Sequence, residues 1–217
     1  IPSFLVFLVA CYTKKDTFLA RNSHALSTKY NILYNGGIGF EKGLKSIQAN
    51  NEDDFWELLP PEKMQIKDEI STSNKSSNAD FELAEAKATK AIQKHSMNIG
   101  GREKNSQIDE AYLMLGKARY HDQRFVPALD AFNYVLYKYP NSSKIYEAKI
   151  WREKTNMRLG NDALVIKNIS KLLEDQKLKH QVFADANALL AASFLNLEEK
   201  DSAVAKIKLA IEFTKVN

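Results

Sequence analysis

The sequence contains a single cysteine, Cys11, so no internal disulfide can form and no cysteine-based metal site can be assembled. Its four histidines, His24, His95, His121 and His180, lie far apart and make no HxxxH pair. Neither sign of charge dominates: 31 lysines and arginines stand against 27 aspartates and glutamates, a net charge of +4. That balance lacks the concentrated basic face of a nucleic-acid binder, so nucleic acid is not an expected partner. No apolar run reaches the roughly 20 residues of a membrane-spanning helix. Zinc motifs, a Walker loop and a dinucleotide fingerprint are all missing, and no Ser–His–Asp or Cys–His set can be nominated. The expectation is a non-enzymatic chain with no catalytic residue, no metal, no cofactor and no small-molecule substrate.

What is present is helical periodicity. Residues 108–142 read IDEAYLMLGKARYHDQRFVPALDAFNYVLYKYPNS, with apolar residues at helical spacing on both sides of a polar break at residues 121–124. Tyr112, Leu115 and Gly116 are followed by Phe125, Ala128 and Phe132, and then by Pro140. Gly116 and Ala128 are small where two helices must approach closely. Pro140 ends the second helix, because it has no N–H and clashes with the preceding turn. This pattern resembles a tetratricopeptide repeat, a helix–turn–helix unit of about 34 residues. Two marker positions differ: the aromatic expected near Arg119 has moved to Tyr120, and Gln123 stands where a turn glycine is common. The fold expected is all-α, a tetratricopeptide-repeat α-solenoid of antiparallel helix pairs. Such repeats bind proteins far more often than they catalyse.

The first ten residues, IPSFLVFLVA, are uncharged and fit the apolar part of a secretory signal, so the sequence is expected to start inside its precursor. Leu8-Val9-Ala10-Cys11 resembles a bacterial lipobox, in which the cysteine thiol takes a diacylglycerol. A free cysteine is also commonly a buried structural residue. The apolar run directly before Cys11 and the polar stretch directly after it favour lipid attachment at Cys11, with several acyl chains giving firm membrane anchorage. Residues 11–22 then form a lipidated tether.

Residues 23–66 read as a degenerate helical repeat followed by an FWELLPP segment. Leu26, Tyr30, Leu33 and Tyr34 share one helical face, Asn35-Gly36-Gly37 is expected to break the helix, and Phe40, Leu44 and Ile47 point inward from a second helix. Gly39 and Gly43 allow a close helix approach. Asn51 to Trp56 and the residues after it form a short helix or turn stopped by Pro60-Pro61. Residues 67–79 are rich in Ser and Asn and read as a polar linker. Residues 80–217 are expected to form the repeat solenoid. Phe81 and Ala84 repeat the Phe125–Ala128 spacing, so their helix reads as the second of a pair whose first member is not evident. Ser106 with Asp109 suggests a capping arrangement. Later helices carry Tyr146, Ile150 and Trp151, then Leu164, Ile166 and Ile169, then Ala186, Leu190 and Phe194, then Ala203, Ile207 and Ala210. Aligning Gly116 with Glu153 and Ala191 gives units slightly longer than the usual repeat, and further repeats are expected beyond Asn217.

One cluster suggests a binding surface. Lys149, Trp151 and Arg152, with Lys154 and Arg158 nearby, form a basic stretch around an aromatic that could grip an acidic peptide, a glycan or a phosphate. Helical spacing puts 149 and 152 on one face and 154 and 158 on another, so a solvated helix surface competes with that reading.

Several blocks resemble one family, the SprE/PorW tetratricopeptide-repeat lipoproteins of Bacteroidetes gliding motility and type IX (Por) secretion. They are CYTKKDTFLARNSHALSTKYNILYNG (11–36), FEKGL (40–44), DDFWELLP (53–60), ATKAIQKHSMNI (88–99), the repeat at 108–142 and EAKIWREKTNMRL (147–159). The resemblance spans nearly the whole chain. It implies an outer-membrane lipoprotein facing the periplasm, acylated at Cys11, that links the secretion translocon to ring and motor components. The alternatives are a repeat lipoprotein of another outer-membrane assembly complex, or the repeat part of a membrane-tethered enzyme.

Overall fold

The computed structural model describes residues 13–56, 62–64 and 78–214. Cys11, Leu58, Leu59, Pro60 and most of the polar linker lie outside the described residues. Among those described, the chain is all-α apart from one small hairpin. Helix α1 (Phe18–Leu26) runs through a π-helical turn (Ser27–Leu33) into α2 (Tyr34–Asn50). Then come α3 (Ala79–His95), strands β1 (Asn98–Ile99) and β2 (Arg102–Glu103), α4 (Ile108–His121) and α5 (Phe125–Lys138). They are followed by α6 (Ile145–Arg158), α7 (Asp162–Leu173), α8 (His180–Asn196) and α9 (Lys200–Thr214). No described helix is long and apolar enough to cross a membrane.

The expected break at Asn35-Gly36-Gly37 does not occur; all three residues are helical and lie in the first turn of α2. Their glycine is used sideways. Gly36, Gly39 and Gly43 are buried along one face of α2. A Cβ on Gly39 would stand 3.2 Å from Leu83, and one on Gly43 would stand 2.6 Å from the Phe81 ring. The missing side chains let α3 pack close, so α2 is the first helix of the pair whose second helix is α3. Residues 51–78 separate the two in sequence.

The expected inward stripe of the first helix is also corrected. Leu26, Tyr30 and Tyr34 are exposed, and the buried residues are His24, Thr28, Ile32 and Leu33. An α-helical spacing does not survive a π-helical stretch, whose wider turn rotates every later face. Thr28 Oγ1 donates to the His24 carbonyl at 2.7 Å, and Asn105 Nδ2 donates to Thr28 Oγ1 at 3.0 Å. His24 and His95 meet Nδ1 to Nδ1 at 3.0 Å.

The hairpin turns through Gly100 and Gly101, both with positive φ. Glu103 at its end accepts from Met97 N at 2.7 Å and Asn105 N at 2.9 Å. Asn105, not Ser106, then opens α4: its Oδ1 accepts from Gln107 N at 3.0 Å. Asp109 instead accepts from Ser142 Oγ at 2.5 Å, tying the start of α4 to the turn before α6.

From α4 onward a single turn recurs. Gln123, Gly160 and Glu198 have φ of 60°, 77° and 63°, spaced 37 and then 38 residues apart. In each case the next residue donates its N–H five residues back: Arg124 to Arg119 O, Asn161 to Asn156 O, and Glu199 to Phe194 O, at 2.9–3.0 Å. This is a helix stop closed by a left-handed residue. The missing glycine at Gln123 is therefore not a missing turn, since a glutamine takes the same backbone conformation. Each helix packs on the next, and α2, α4, α6 and α8 also touch in succession, forming an inner row.

The core follows that row. Gly116 faces the fully buried Phe132, and a Cβ there would meet ring atoms at 2.7 and 2.8 Å. Leu115 is buried beside Ala88 and Ala131, Ala128 is buried beneath Phe132, and Phe125 makes an edge contact with Tyr120. Tyr112 stacks on Tyr134 at 4.2 Å. Pro140 lies two residues beyond the end of α5. In the next pairs Val165, Ile169, Leu172, Leu189 and Leu190 form the core. Leu164 and Ile207, expected inside, face outward.

Candidate protein-binding face

The inner row carries a concentrated cluster of polar and aromatic side chains. Lys117, Tyr120 and His121 come from α4, and Trp151, Lys154 and Arg158 from α6. Lys117 and Lys154 stand on α4 and α6, which touch each other. Trp151 lies between them, with the two ammonium groups 5.3 and 4.7 Å from its ring centroid. Its ring also meets Tyr120 edge-on at 5.2 Å and His121 at 5.6 Å.

A carboxylate from a distant part of the chain fills this cluster. Glu62 lies between α2 and α3 in sequence, outside any helix. Tyr120 Oη donates to Glu62 Oε2 at 2.6 Å, and Lys154 Nζ pairs with Glu62 Oε1. Arg158 donates to the Glu62 main-chain carbonyl at 3.3 Å and stands 3.9 Å from its carboxylate. Asn51 Nδ2 donates to the Met64 carbonyl at 3.0 Å, and Met64 packs on the α4–α5 core. Beside Glu62 and Lys154 a cavity of about 100 Å³ continues toward α8, lined by Met157, Asp185, Ala188, Leu189 and Ala192.

The electrostatics follow from this packing. Burial opposes ionisation of Glu62, but Lys154 and the hydrogen bonds from Lys154 and Tyr120 outweigh it and hold the carboxyl below its ordinary range. Burial and the Glu62 charge both push the Tyr120 phenol up, so it stays a donor. Burial lowers His121 to about 4, with Glu62 opposing and Lys154, Lys117 and Arg158 reinforcing the shift. His121 is therefore neutral at pH 7, wedged between the Phe40, Phe81, Tyr120 and Trp151 rings.

The residues expected to bind a partner divide. Trp151 belongs to the inner cluster. Lys149 lies over the Tyr146 ring at 5.4 Å, on another side of α6. Arg152 pairs at 2.6 Å with Glu153, a buried carboxylate that also accepts from Asn156 and Asn168. Glu153 stands where the preceding unit has Gly116, and Arg152 is needed to neutralise it, because a buried unpaired charge is costly. Sequence spacing separated Lys154 and Arg158 from Lys149 and Arg152, and the former pair is the one that converges with Trp151. Glu62 carried no sequence signal, since it follows two prolines in a stretch without periodicity.

No group of three His, Cys, Asp or Glu side chains converges for metal binding among the described residues. The chain matches no protein-family model, and it matches none of the curated proteins compared with it.

Proposed function

We propose that this chain is the repeat region of a non-enzymatic scaffold that works through protein–protein contacts on its inner row of helices, and that its pairs form a tetratricopeptide-type α-solenoid. The observation that carries this reading is the recurrence of one helix–turn–helix geometry at 123, 160 and 198, with an inner row of helices joining the units. A face built in this way presents repeat-related side chains on a rigid support, which suits an extended partner segment. Tyr120 on α4 and Trp151 and Arg158 on α6 belong to the types enriched where proteins bind each other.

The likeness of residues 11–36, 40–44, 53–60 and 147–159 to the SprE/PorW lipoproteins supplies the setting. In that setting the protein is acylated at Cys11, faces the periplasm from the outer membrane, and links the type IX secretion translocon to ring or motor components. Affinity purification of the crosslinked, full-length protein from its native cell tests the role. Secretion-translocon and ring proteins are expected among the partners; recovery of a different outer-membrane assembly barrel would move the role to that complex. Cys11→Ala is expected to release the protein from membranes with its helical content unchanged, and unaltered fractionation of that variant would remove the anchor from the account.

A further inference from the structure

We propose that the slot formed by Tyr120, Lys154 and Arg158 is a binding site for a glutamate side chain of an extended acidic peptide, and that Glu62 occupies it in cis as that peptide's competitor. The inference deepens the scaffold reading and rests on it, because it takes the inner row to be a partner-binding face.

Four observations support it. Glu62 reaches the slot from a non-helical stretch, across 58 residues to Tyr120 and 92 to Lys154. It is held as a peptide ligand is held, by its carboxylate and by its own main-chain carbonyl. Among the described residues Glu62 is the one carboxylate in ion-pair contact with Lys154 and Arg158, so its departure leaves both cations without a counter-charge and the Tyr120 hydroxyl without its acceptor, while Arg158 keeps its 3.1 Å hydrogen bond to Tyr120 Oη. The adjoining cavity, lined by Met157, Leu189, Ala192 and the Asp185 carboxylate, extends the slot along α8, where a neighbouring aliphatic side chain of a bound peptide fits better than a second acidic one. The charge of the slot selects the partner: a glutamate side chain restores the carboxylate contacts that Glu62 makes and its peptide carbonyl can take the Arg158 bond, whereas a neutral or basic peptide leaves Lys154 and Arg158 without a counter-charge at a partly buried site.

The test uses the full chain and a fluorescein-labelled hexaglutamate peptide, capped at both ends so that its side chains are its only carboxylates. Fluorescence anisotropy reads affinity for wild type, Glu62→Gln, and the double variant Glu62→Gln/Lys154→Gln. Glu62→Gln keeps the shape and removes the charge. It is expected to tighten binding about tenfold or more, the size of one charge-assisted hydrogen bond withdrawn from competition. The double variant is expected to lose that gain, and capped hexaglutamine is expected not to bind. Glu62→Asp, which keeps the charge but draws it back by one methylene, shifts affinity in the same direction by less, and serves if Glu62→Gln does not fold. Equal affinity of wild type and Glu62→Gln within about twofold would overturn the proposal, as would tight binding that survives Lys154→Gln. Binding of uncapped hexaalanine in place of hexaglutamate would also overturn it, since the slot would then read a chain terminus. If the peptide series is flat while crosslinked partners are recovered from cells, this inference falls alone. If the series behaves as expected and no partner is recovered, the slot stands and the scaffold assignment falls.

Discussion

Two glycine-to-alanine substitutions have opposite expected signs, and together they test how the chain is built. Gly37 lies inside α2, and a Cβ added there meets nothing within 4 Å. Replacing a helical glycine by alanine in open space gains about 1 kcal/mol, because alanine loses less backbone freedom on folding. Gly116 lies inside α4, so Gly116→Ala makes the same gain, but its new methyl runs into Phe132. That ring is fully buried. Overpacking of this kind costs about 1–3 kcal/mol, and with several ring atoms inside 3 Å we take the upper end. The net expectation is a loss of about 2 kcal/mol. For a chain of this size these values correspond to a Tm about 2–4 °C higher for Gly37→Ala and about 4–8 °C lower for Gly116→Ala. Urea titrations followed by circular dichroism at 222 nm, with m unchanged, check both. A Gly37→Ala protein destabilised by about 1 kcal/mol or more would refute the reasoning. It would mean that Gly37 sits in a left-handed turn and that the first helix breaks there.

Acid is expected to weaken the fold through His121. Its folded pKa of about 4 lies below the ordinary 6.5, so between those values the unfolded chain binds a proton that the folded chain refuses. Stability from this site is full above pH 6.5 and falls by about 3 kcal/mol as the pH drops to 4; urea midpoints that do not move between pH 7 and 5 would contradict it. Asn105→Ala removes donors to Thr28 and to the His95 carbonyl and the acceptor for Gln107 N, and is expected to cost about 2–3 kcal/mol in the same titration.

Residues 108–142 were legible because local pattern and packing agree there. Gly116 is small because Phe132 needs its volume, and Pro140 follows the end of α5. The spacing of the turns was legible too, since aligning Gly116, Glu153 and Ala191 gives the same intervals as the turns at 123, 160 and 198. The region before residue 79 was harder for physical reasons. Paired glycines signal a turn when read locally, but here Gly36 is required by the approach of Met114 and Lys87, which lie far along the chain. The π-helical turn moves the buried face onto His24, Thr28 and Ile32, and no α-helical period could have marked it. Glu62 was invisible for a related reason: its importance comes from Tyr120, Lys154 and Arg158, and nothing beside it in the sequence points to them. Lys117 and Lys154, on the inner helices α4 and α6, were the available hint that this face is cationic.

The central claim is that partners contact the inner row of helices. Site-specific photocrosslinking in the native cell tests it most directly, with the crosslinking side chain placed either at Ala188, lining the cavity beside Glu62, or at Leu164, exposed on α7. The account predicts crosslinks to secretion-translocon or ring proteins from position 188 and none from position 164. Crosslinks from 164 with none from 188 would contradict it.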